Sequence, residues 1–170
     1  LRAPLMLPPT ILTPEELEAL VEGLRHVGAD GNPRARAAKA RAEGVAGMHE
    51  VTQALLAASL SADTRQHQPL AVAFVRESLM RQDAQAYAGV CEALADAQAA
   101  AVEAISCPVL LVTGDEDGVA PPQAVRALAE RLHAARSTRV VVLPRCGHWA
   151  PVERATECQA ELRNFIAALR

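Results

Sequence analysis

The sequence predicts an α/β protein, with a helical first half and a strand–helix–strand–helix second half. Three observations predict this. Residues 13–104 carry apolar side chains at helical spacing and no strand-like run. Two short β-branched apolar runs, Val109–Thr113 and Arg139–Leu143, follow later. About 25 residues separate those runs, with helical spacing between them, so the strands pair in parallel through a crossover.

In chain order, Leu1–Pro9 is apolar and broken by prolines. It lacks the basic and long apolar regions of a signal peptide and reads as the tail of an upstream core over residues 1–12. A helix opens at Thr13, with Pro14 at its first position and Glu16 closing a capping box. Residues 28–33 form a loop, and Arg34–Glu43 a polar, solvent-facing helix. Gly44 and Gly47 punctuate the chain before a helix over Met48–Ser59. Pro69 restarts a helix bearing Leu70, Phe74, Val75 and Leu79, and Asp83 caps one running toward Ile105. Met48, Phe74, Leu79 and Met80 read as helix-packing residues.

Gly114 ends the first strand, and Pro121–Pro122 opens a helix with Val125, Leu128, Ala129 and Leu132 on one face. After the second strand, Pro151 starts a final helix carrying Cys158, Leu162, Phe165, Ile166 and Leu169 on one face. Strands that are apolar throughout are expected to be covered on both sides, which two strands alone cannot achieve.

Composition narrows the partners. Hydrophobic residues make up 51% and aromatics 2%, with a net charge of −3. No basic stripe marks a nucleic-acid face, and no run approaches the ~20 apolar residues of a membrane span. Cys91, Cys107, Cys146 and Cys158 form no C-x-x-C pair. They sit among apolar residues and read as buried free thiols in a reducing, cytoplasmic setting.

The chemistry-bearing text follows the two strands. Gly114-Asp115-Glu116-Asp117-Gly118 follows the first, and Cys146-Gly147-His148-Trp149 the second. Active residues of open parallel sheets collect at such strand ends. A carboxylate beside a histidine makes an orienter and a base for a hydroxyl nucleophile. Calcium is disfavoured for the acidic run, because Gly118 comes too early for an EF-hand loop. His26, His49, His67 and His133 lack a partner pattern. Cys146 shares the histidine's own loop, which argues against a thiol nucleophile.

The segments PVLLVTGDEDGVAPP (residues 108–122) and VVVLPRCGHWAPVE (residues 140–153) resemble the α/β-hydrolase family. The resemblance implies a partial α/β-hydrolase fold, with a helical cap over residues 13–104 followed by the last two parallel strands and their helices over 105–170. It places the triad acid at Asp117, with Asp115 as competitor, and the base at His148. Trp149 is a candidate for lining the substrate pocket, and Glu153 for capping the final helix or bonding nearby backbone. More loosely, RAEGVAGMHEVTQALLAASLS and FVRESLMRQDAQAYAGVCEAL resemble the cap of enol-lactonase-like members. The implied function is hydrolysis of a small carboxylic ester or lactone, without cofactor or metal.

The family's G-x-S-x-G elbow is missing from the sequence. Its serines are Ser59, Ser61, Ser78, Ser106 and Ser137, and none has that context. The family's chain order then puts the nucleophile upstream of Leu1. The alternative is a non-catalytic remnant acting as a binding or interaction module.

Overall fold

The structure, a computed structural model, describes residues 32–97 and 101–169. The expected tail over residues 1–12 and the helix opening at Thr13 lie outside the described residues.

Five helices come first: α1 (Pro33–Glu43), α2 (Val45–Ser59), α3 (Ala62–His67), α4 (Pro69–Met80) and α5 (Ala84–Asp96). Their starts follow from local chemistry. Asn32 accepts from the Arg34 and Ala35 amides, Ser61 from Thr64, and Asp83 from Gln85 and Ala86. Each supplies an acceptor to amides that a helix leaves unpaired. Gly44, at φ 57°, occupies the left-handed turn between α1 and α2, where a side chain would be strained.

The helical half departs from the expectations at several points. The helix at α1 is not wholly solvent-facing: Ala37 and Ala40 are buried in a cluster with Met48, Val51, Tyr87, Ala88 and Cys91. Their small side chains let α1 lie close against α5. Gly47 does not punctuate the chain but lies inside α2. The segment α3 was not foreseen, since six residues carry too little periodicity to read. The helix at Asp83 ends at Asp96, short of Ile105. A 3₁₀ turn at Val102–Ala104 instead puts Val102 and Ile105 into a separate core. Of the expected packing residues, Met48 and Leu79 are buried, while Phe74 stands 57% exposed.

The second half contains β1 (Val109–Gly114), α6 (Pro122–Arg131), β2 (Thr138–Leu143), α7 (Ala150–Glu153) and α8 (Ala155–Ala168). The strands pair in parallel, from Val109 opposite Thr138 to Gly114 opposite Leu143. This register ends both strands at the same edge. Alternation along β1 sends Val109 and Leu111 toward Leu128 of α6 and Leu132 just after it. Val112 goes the other way, toward Ala150 and Cys158. Helices thus meet both faces, yet most strand residues stay only half-buried.

The final helix is also corrected: it is two helices, broken at Arg154 (φ −136°, ψ 54°). The break turns the Glu153 and Arg154 side chains back toward the loop after β2. Both are buried and hydrogen-bonded there.

Candidate active site

Three hydrogen bonds hold the two loops beyond the strands together. The Asp115 amide donates to Leu143 O (2.9 Å), and the Glu116 amide to Cys146 O (2.9 Å). The Cys146 amide donates to Asp115 Oδ1 (3.0 Å). Asp115, the competing acid, is therefore a brace between loops. Gly114 is needed at their junction: a Cβ there would sit 1.9 Å from Cys146 O.

Within this frame, His148 Nδ1 donates to Asp117 Oδ2 at 3.0 Å. Asp117 Oδ1 accepts from the Val119 and Ala120 amides at 2.8 and 2.7 Å. The Thr113 hydroxyl lies 3.2 Å from Oδ2 and donates to Ala120 O at 2.7 Å. Asp117 is thus anchored on both oxygens, and its side chain is only 4% exposed. Burial pushes its pKa up, but the His148 imidazole and then the Ala120 and Val119 amides outweigh this and hold it below its ordinary value.

With Nδ1–H committed to the carboxylate, neutral His148 presents Nε2 as a lone-pair acceptor. Among the described residues, Nε2 has no hydrogen-bond partner, and the side chain is 36% exposed. The pair has the orientation and access that a general base requires.

The helical half abuts both loops. The His148 amide donates to Ser59 O (2.6 Å), and the Ala62 amide to Glu116 Oε2 (2.7 Å). Trp149 is half-buried and packs against Leu56, Leu60, Val75 and Leu79. Two serines come near the histidine, but their hydroxyls are engaged. Ser59 donates to Leu55 O at 2.6 Å, and Ser61 to Thr64 Oγ1 at 3.0 Å. Cys146 is fully buried, and burial pushes its thiol pKa up to about 12, so it holds its proton at neutral pH.

The braces around the pair were largely unread in the sequence. Arg154 Nη2 donates to Asp63 Oδ2 (2.7 Å), and its Nε donates to Pro144 O (3.2 Å). Asp63 lies 91 positions from Arg154, so no local signal links them. The HWAPVE run did point to Glu153, whose carboxylate accepts backbone amides as expected. Among the described residues no group of His, Cys, Asp or Glu side chains is placed to hold a metal ion. None of the described helices is long and apolar enough to cross a membrane.

A family model described as "Alpha/beta hydrolase family" matches residues 4–160. The chain belongs to the α/β-hydrolase family. No curated protein matches it. Among solved structures, the chain is similar to a thermophilic esterase from Thermogutta terrifontis, studied with malate bound. That match has a TM-score of 0.73 and 21% identity, and covers 86% of this chain and 50% of the esterase. It is also similar to the enol-lactonase from Burkholderia xenovorans LB400. There the TM-score is 0.67 and the identity 32%, covering 78% of this chain and 48% of the lactonase. A third is Est816, described as an N-acyl homoserine lactone degrading enzyme. Its values are TM-score 0.60 and 21% identity, covering 84% of this chain and 54% of the enzyme. The two matches at 21% identity speak for the fold alone. This α/β-hydrolase chain spans about half the length of each of the three.

Proposed function

We propose that the chain supplies the acid and base of a Ser-Asp-His triad that hydrolyses small carboxylic esters or lactones. The carrying observation is the anchored Asp117 carboxylate 3.0 Å from His148 Nδ1, with Nε2 left open. In this reading, His148 Nε2 takes the proton of a serine hydroxyl as that oxygen attacks the ester carbonyl, and later returns it to the leaving alkoxide. Asp117 holds the tautomer and stabilises the imidazolium. The serine and the oxyanion donors come from chain outside these 170 residues.

We assign the helices from Pro33 to Asp96 to a cap beside the site. Their contacts with Gly147, His148 and Trp149 support that role. Trp149, half-buried next to the base, edges the substrate space. The enol-lactonase from Burkholderia xenovorans LB400 supports a lactone or ester substrate at 32% identity.

The test is hydrolysis of a p-nitrophenyl ester and an enol lactone by the protein expressed from its complete reading frame. His148→Ala and Asp117→Asn are each expected to lower kcat by about 10³–10⁴-fold with the fold intact. Unchanged turnover in folded His148→Ala rejects the assignment.

A further inference from the structure

Glu153 is 4% exposed, and its two oxygens accept three backbone amides. Oε1 takes Gly147 N and Trp149 N, both at 3.1 Å. Oε2 takes Ser61 N at 2.9 Å. Gly147 and Trp149 flank His148, whose own amide is bonded to Ser59 O. Three consecutive amides of the histidine loop are therefore fixed, two by one carboxylate and one by the segment that the same carboxylate holds. A carboxylate serving only as a local cap for the one-turn helix α7 needs the Trp149 amide alone. Reaching Gly147 on the far side of the histidine, and Ser61 at 92 positions away, fixes the histidine loop from both sides. Space leaves no slack either: a Cβ on Gly147 would lie 2.3 Å from Ser59 O and 2.7 Å from Ser61 N.

We infer that Glu153 is a positioning residue that sets the imidazole of His148 against Asp117 and locks Ser59–Ser61 beside it. The inference rests on reading His148 as the base. Glu153 touches no reacting atom; it acts through the backbone on either side of the histidine. Replacing the carboxylate with a carboxamide keeps the shape. It also turns an NH₂ toward amide donors, so one or more of the three bonds fails.

The test combines turnover of p-nitrophenyl acetate with histidine-selective ¹⁵N NMR, on the protein from its complete reading frame. The Nδ1–H resonance of His148 is assigned by its loss in His148→Ala. In Glu153→Gln that resonance is expected to vanish through solvent exchange. The expected kcat loss is about 10²-fold, as for a misplaced catalytic group, with KM within about twofold. Glu153→Asp, shorter but still an acceptor, is expected to keep part of both. Where Glu153→Gln fails to fold, Glu153→Asp alone carries the comparison. An unchanged Nδ1–H signal and kcat in the folded variant, even with reduced thermal stability, overturn the inference. An Asp117→Asn control whose signal matches the wild type overturns the dyad itself, and the inference with it.

Discussion

Asp117 makes acid sensitivity a readout of its anchoring. Its folded pKa lies below the unfolded value of about 3.9. A depressed carboxylate contributes stability that is complete above the unfolded pKa and is lost as pH falls through the folded one. The stability gap between wild type and Asp117→Asn is therefore expected to be flat above about pH 5 and to close as pH falls below the unfolded value of about 3.9. Urea midpoints across that range check it; a gap that widens on acidification contradicts the anchoring. Thr113 offers a second check. Its hydroxyl is buried and donates to Ala120 O. Thr113→Val leaves that carbonyl without its donor and is expected to cost about 1–2 kcal/mol in chemical denaturation. At this scale the sequence was readable where partners lie in contiguous text, as for Glu153 and the Trp149 amide four positions before it. It was silent on Asp63, Glu116 and Arg154, whose partners lie tens of positions away and are chosen by packing.

At the scale of elements, the site depends on two loops and a helix end meeting without room to spare. Gly114 is the tightest point, with Cys146 O where a Cβ would go. Gly114→Ala is expected to push the acid loop off the histidine loop. The strain is about 1–3 kcal/mol, and the effect on turnover should be larger than the effect on stability. Parallel ester assays and thermal melts measure both; full activity in a folded Gly114→Ala protein would show that the loops need not touch. The sequence marked both strands to within a residue, because apolar β-branched runs flanked by glycine or proline have few other readings. The end of α5 was misread. Alanine-rich text keeps helical propensity, whereas the burial of Val102 and Ile105 against Leu132 is a tertiary demand. The break at Arg154 was likewise hidden, because it follows from the buried bonds of Arg154 and Glu153 rather than from any breaker residue.

Over the whole molecule, the described sheet has two strands, with helices on each face and apolar surface left uncovered. Leu162 and Ile166 of α8, and Leu169 just after it, are 46–52% exposed. Leu110, Val112 and Phe165 line an open groove beside them. The expectation that both strand faces need cover agrees with this half-burial. Exposed apolar surface beside the edge of a sheet favours association. The 170-residue chain is expected to sediment as concentration-dependent oligomers, and Leu162→Lys with Ile166→Lys to shift it toward monomer. Equal sedimentation of both would place the association elsewhere.

The dyad's chemistry is tested most directly by the rate at which a fluorophosphonate probe labels the protein from its complete reading frame. The account predicts labelling of one serine outside residues 1–170, slowed by orders of magnitude in His148→Ala and in Asp117→Asn. Labelling at the wild-type rate in folded His148→Ala would contradict it.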